Sequence, residues 1–183
     1  MSKDIPLWAD HEALREHCEM IQYFGLGFVQ VKISPVDRFH YYHPSLLATV
    51  DPEAIHNHRY NFRSFVMRGA LHQELFQIIE GDEYVITDES CSPDAHETET
   101  LRRVGALMTA SFATPAGEGY FLHYSQMHRV RAAGKTVTWL ARTLPYCQQM
   151  AQVLTPTNAP KVCPFKTDLS VDSLWDIVID TIS

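Results

Sequence analysis

The feature that most constrains the fold is a long series of short strand-like runs between Phe28 and Leu144, separated by turn signals. FVQVKIS (28–34), YYHPSLLATV (41–50), FRSFVMRG (62–69), ALHQELFQII (70–79) and EYVITDE (83–89) form its first part. LRRVGALMTASFAT (101–114), YFLHYS (120–125), HRVRAA (128–133) and TVTWLART (136–143) complete it. The two runs flanking Gly69 read as a hairpin, and the polar CSPDAHETET (91–100) reads as a loop. Strands at this regular spacing predict an all-β sandwich or barrel. A helix is expected before them over 9–22, where Asp10 can cap the start and Leu14, Cys18 and Ile21 share one face. TPTNAP (155–160) reads as a loop, and SVDSLWDIVIDTIS (170–183) as a closing helix with Ser170 or Asp172 near its start.

At 183 residues and 20.9 kDa, about one domain is expected. The barrel core would span about 28–146, with a tail over 147–183. A hydrophobic share of 45% and a charged share of 20% exclude a disordered chain. The net charge of −7, with no basic block, disfavours binding to nucleic acid or an anionic membrane. No run of 18 apolar residues predicts a spanning helix. The acidic, mixed start MSKDIPLWADHEALREH lacks the pattern of a secretory signal. The scattered cysteines Cys18, Cys91, Cys147 and Cys163 form no CxxC and suit reduced thiols, so a cytoplasmic protein is expected. No GxSxG, P-loop or GxGxxG is present, which removes the commoner hydrolase, kinase and dinucleotide readings.

Ten histidines are the compositional excess, and Ile55-His56-Asn57-His58 is where they become informative. On an extended strand, residues i and i+2 point to the same side, so both imidazoles would converge on one point. Neutral imidazole favours Fe, Cu, Zn and Ni. A stable site needs a third donor, for which His128 is the candidate. An HxH pair alone is more often a surface accident, so the surrounding residues decide its weight.

Those residues resemble the cupin superfamily. HNHRYNFRSFVMRG resembles the first cupin signature: His56, His58 and Gly69 match, while the glutamate slot falls on Phe62 or Arg63. GEGYFLHYSQMHRV resembles the second through Gly117 and His128, with His123 in the proline position and Ser125 in the turn-glycine position. Loss of the glutamate is similar to the thiol dioxygenases, cupins that hold iron(II) by three histidines without a carboxylate. IHNHRYNFRSFVMRGALHQELF looks like their first motif, and MHRV followed by TVTWLARTLPY like their second. The resemblance implies a single cupin-type β-barrel (jelly roll) with a metal on His56, His58 and His128. It implies Fe(II) as that metal, O₂ as co-substrate and a small thiol such as cysteine or 3-mercaptopropionate as substrate. The Cys–Tyr crosslink of animal cysteine dioxygenases is not expected, because its slot is Arg63. The family's arginine for the substrate carboxylate is expected earlier in the chain, where Arg38 stands, and its Ser-His-Tyr triad is not placed.

A substrate carboxylate suits the planar fork of arginine, with Arg59, Arg63 and Arg129 as candidates and Arg63 favoured. His123 and Tyr124 are the candidate acid, base or supporting donors, and Tyr60, Phe62 and Phe65 could shape a pocket. His40 and His43 read as surface residues, and Cys91 has no evident base beside it. Two other readings stand beside the dioxygenase. One is a cupin isomerase or hydrolase holding Zn, Ni or Mn, and the other a non-catalytic barrel that binds a small ligand; a homodimer is possible in each.

Overall fold

In the computed structural model the described residues are 5–46, 54–91, 96–148, 150–159, 165–166 and 168–183. Asp10 accepts a hydrogen bond from the Ala13 amide (3.1 Å) and starts helix α1, His11–His17. The helix is shorter than the sequence suggests. Met20–Phe24 is already strand β1, pairing along its whole length with β2 (Phe28–Lys32). Tertiary pairing overrides helix propensity here, and the segment IQYF carries the aromatic and β-branched residues that a strand accepts.

The remaining strands are β3 (Asp37–Tyr42), β4 (Ile55–His56), β5 (Phe62–Arg68), β6 (Ala70–Cys91), β7 (His96–Pro115), β8 (Gly119–Leu122), β9 (Met127–Ala132), β10 (Thr136–Arg142), β11 (Ala151–Pro156) and β12 (Phe165–Lys166). They form two antiparallel sheets, ordered β12-β1-β2-β3-β10-β5-β8 and β11-β4-β9-β6-β7, with β11 also pairing β6. The chain is mainly β, and the sheets face each other as a cupin-like sandwich without closing into a barrel. Phe28 and Tyr42 of the first sheet pack with Leu71 and Val130 of the second.

Several sequence expectations shift. The runs around Gly69 are not a hairpin: β5 pairs β10 and β8, whereas β6 pairs β7, β9 and β11. Gly69 is instead the corner between sheets, at φ +75°, where a Cβ would lie 2.5 Å from Thr136 Oγ1. The EGDE segment, a turn by composition, is absorbed as an irregularity between Ile79 and Tyr84, so two expected strands are one. The expected 91–100 loop is strand from His96 onward, and 92–95 lie outside the described residues. TPTNAP begins inside β11, and the 41–50 run is strand only to Tyr42, with 47–50 outside the described residues.

Alternation explains why the first sheet is buried on both faces. Val29, Val31, Phe39, Tyr41 and Val137 form one cluster with Leu14 of α1 and with Leu174, Trp175 and Val178 of α2 (Val171–Ile182). Ser170 caps α2 as expected, accepting from the Ser173 amide (3.2 Å). The intervening residues Gln30, Arg38, His40, Thr138 and Leu140 point the other way and line a cavity between the sheets. Among the described residues, no helix is long and apolar enough to cross a membrane.

Candidate metal centre

Strand pairing brings the three histidines together. β4 is held between β9 and β11, which sets His56 directly opposite His128 across the β4–β9 pair. His58 lies two residues beyond His56, past the end of β4, so strand geometry alone does not aim it. Its backbone amide donates to the Tyr124 carbonyl (3.2 Å), and the Gln148 side-chain amide donates to its carbonyl (2.9 Å). Buried Asn57 pins the same turn by accepting from the Gln152 amide (2.6 Å). One nitrogen from each of His56, His58 and His128 lies within 4.8 Å of the others.

Hydrogen bonding fixes which nitrogens are offered. The His56 Nδ1–H donates to the Ala54 carbonyl (3.0 Å), and the His128 Nδ1–H donates to Gln73 Oε1 (3.1 Å). Both rings therefore turn a bare Nε2 inward. Nε2 of His58 is 2.9 Å from Nε2 of His128. Metal–nitrogen bonds of about 2.0–2.1 Å separate two ligand nitrogens by about 2.9 Å at a right angle and about 3.4 Å at the tetrahedral angle. The donors thus fit a divalent transition ion, with the His58–His128 pair spaced as adjacent octahedral corners.

The electrostatics favour the same use. Burial pushes the pKa of all three histidines down, and those of His58 and His128 well down, with His56 adding to both. They are neutral near pH 7 and ready to ligate without releasing protons. Among the described residues no carboxylate joins them. Phe62 occupies the expected glutamate position, 2% exposed, with its ring 4.8 Å from that of His58. β5 alternates, so Phe62 faces in and Arg63 faces out, which settles the two possible spacings in favour of Phe62.

The histidines border a cavity of about 550 Å³ lined by residues of both sheets. Tyr120 lines it too, and burial pushes its hydroxyl up to about 12, so it stays protonated. His40 lines the cavity rather than the surface, because it shares the inward face of β3 with Arg38 and Tyr42. Burial and the neighbouring Arg38 push its pKa down to about 3.

Three expected site residues are elsewhere. Arg63 is exposed on the outer face of β5. His123 is exposed in the β8–β9 turn, where its Nδ1 bonds Ser125 Oγ (2.8 Å). The Tyr124 ring lies tilted beside it (4.4 Å), and its backbone carbonyl accepts from the His58 amide (3.2 Å). Arg129 pairs with Glu74 (2.5 Å), and neither borders the cavity. Phe65 faces outward against Trp139, while Tyr60 and Phe62 do line the cavity. His43 bonds Asp180 of α2 (2.6 Å). The side chain of Cys91 lies outside the described residues.

Sequence reasoning missed Gln73, Arg142 and Tyr146. Gln73 had a signal: Leu71, Gln73 and Leu75 alternate, so a fully buried amide sits on a leucine face. Arg38 and Arg59 line the cavity, the first of them buried.

No family profile and no curated protein matches the sequence. Among solved structures, hydroquinone 1,2-dioxygenase PnpCD in complex with Cd²⁺ and 4-hydroxybenzonitrile aligns at a TM-score of 0.38 and 10% identity, over 79% of each chain. Hydroquinone 1,2-dioxygenase from Sphingomonas sp. TTNP3 with 4-hydroxybenzoate bound aligns at 0.35 and 10%, over 60% of each chain. Likeness at this level assigns this chain neither a fold nor a reaction.

Proposed function

We propose that this chain is a mononuclear non-haem iron dioxygenase, with Fe(II) held by His56, His58 and His128 and a small thiol as substrate. The observation that carries this reading is the donor set: three neutral imidazoles, no carboxylate, at the edge of a cavity large enough for a small organic molecule. A metal ion so held would keep open positions and supply a centre where a thiolate and O₂ meet. Dioxygenation of RSH gives RSO₂H, with both oxygen atoms entering the product, so no external reductant is required. The chain's own part is to keep the imidazoles neutral, to orient His128 through Gln73 and to close off the carboxylate position with Phe62.

Metal analysis of untagged protein beside His58→Ala tests the site. Near-stoichiometric iron that disappears in the variant is expected, followed by O₂ uptake and sulfinate formation with cysteine or 3-mercaptopropionate. Failure to retain iron after reconstitution overturns the metal site. Iron retention without O₂ uptake on any thiol overturns the thiol. Stoichiometric Zn, Ni or Mn instead would move the chemistry to isomerisation or hydrolysis.

A further inference from the structure

One wall of the cavity carries an unusual load of positive charge. Lys32, Arg38, Arg59 and Arg142 line it against only Glu19 and Glu89, in a protein whose net charge is −7. Among the described residues none of the four cations forms an ion pair. Arg38 donates to Gln30 Oε1 (3.2 Å) and Tyr60 Oη (3.3 Å), and Arg142 donates through Nε to the Pro35 carbonyl (2.7 Å). Lys32 reaches only the sulfur of Met20 (3.5 Å).

The guanidinium groups alternate with aromatic rings. Arg38 and Arg142 lie over Tyr60 at 5.4 and 5.2 Å, and Arg142 and Arg59 lie over Tyr146, each at 4.6 Å. Arg38–Tyr60–Arg142–Tyr146–Arg59 is thus a continuous ladder, with Tyr60 beside His58 (5.8 Å) and Tyr146 half-exposed. Ring faces attract cations but supply no negative charge. Mutual repulsion remains: burial, then Arg38, Arg142 and Arg59, push the Lys32 pKa down, and Glu19 offsets this only in part. Arg38 is 8% exposed, and its Nε, like Nη1 of Arg142, is buried without a hydrogen-bond partner among the described residues. Four clustered cations, partly desolvated and facing only Glu19 and Glu89, are costly unless an anion completes them.

We propose that this ladder, with Lys32, is a subsite for a small dianion, a phosphate monoester or a dicarboxylate, held by charge-assisted hydrogen bonds from the guanidinium forks. The ladder shares the cavity with the histidines, and Tyr60 packs beside His58, but its cations are not metal donors, so the inference is tested without metal.

Calorimetric titration of metal-stripped protein at fixed ionic strength, with inorganic phosphate, succinate and acetate as probes, decides it. Phosphate or succinate is expected to bind at least about tenfold tighter than acetate, the difference made by one further charge-assisted contact. The tighter of the two dianions identifies the source of the charge. Arg142→Gln is expected to weaken that binding by about tenfold or more. Arg63→Gln removes the same charge from the outer face of β5 and should leave binding unchanged. Equal affinity for acetate and both dianions overturns the proposal, as does an equal loss in Arg63→Gln. Dianion binding that appears only after metal is restored also overturns it, since the anion would then be a metal ligand. Dianion binding in protein that retains no iron would keep the subsite and sink the dioxygenase.

Discussion

The residue with the most leverage on the centre is Gln73, which is fully buried and touches no cavity space itself. Its Oε1 accepts the His128 Nδ1–H, which fixes the tautomer that leaves Nε2 bare. Gln73→Leu keeps the side-chain volume and the leucine character of that β6 face, so the strand should still pack. It leaves a buried imidazole N–H without an acceptor and frees the ring to flip. Metal affinity is expected to fall by about 10–100-fold, the usual effect of removing such a support. Competition with a chromophoric chelator measures it, and unchanged affinity would show that the ring is held by packing alone. At this scale the sequence was informative where one residue type does one thing. The HxH pair and His128 were legible because ligand nitrogens need converging side chains. Arg63 and His123 point out of the cavity because strand parity and turn geometry, which the sequence does not display, decide where a side chain points. The slot open between Phe62 and Arg63 is decided only by the alternation of β5, which turns Phe62 inward.

Elements were legible where periodicity and caps agreed, as at Asp10 and Ser170. They were misread where a turn signal did different work. Gly69 is the clearest instance: it serves as a corner between sheets, and both its positive φ and the approach of Thr136 require glycine. Gly69→Ala would combine left-handed strain of about 1–2 kcal/mol with displacement of Thr136. The Thr136 hydroxyl ties the corner to the Ala70 and Ala133 carbonyls (3.2 and 3.3 Å). Gly117 offers the contrast, with φ +88° and nothing within 4 Å of an added Cβ. Gly117→Ala should therefore cost only the strain, and Gly69→Ala at least about 1 kcal/mol more. For a chain of this size the extra cost lowers the melting temperature by about 2–4 °C. Equal melting temperatures for the two variants would mean that Thr136 yields freely. The sheet corner was invisible in the sequence because β5 and β6 are contiguous, and only their partners reveal that they belong to different sheets.

The whole molecule folds around four histidines whose pKa values are held down: His40, His56, His58 and His128. Burial is the leading cause for each, and all four line the cavity, His40 from the first sheet and His56 and His128 from the second. In the unfolded chain each titrates near 6.5, whereas folded His40 titrates at about 3. Between those values the unfolded state binds more protons, so stability rises with pH and is lost as pH falls below about 6.5. One such histidine contributes a slope of about 1.4 kcal/mol per pH unit in that window. The other three add to it, and the repulsion of His56 on His58 and His128 pushes their folded values lower still. Glu74 acts in the same direction but lower. Its hydrogen bond from Arg129 holds its carboxyl below 4.5, so its contribution disappears only in that more acidic range. Two acid phases are therefore expected in denaturant melts of metal-free protein: a steep loss from about pH 6.5 downward and a further loss below about pH 4.5. His40→Phe keeps a ring beside Phe28 (4.5 Å) and removes one buried imidazole. It should flatten the loss by about 1.4 kcal/mol per pH unit from about pH 6.5 down to about pH 3, while the added loss from Glu74 below about pH 4.5 remains. An upper phase of unchanged slope in that variant would mean that His40 escapes protonation by another route, such as local opening of the cavity.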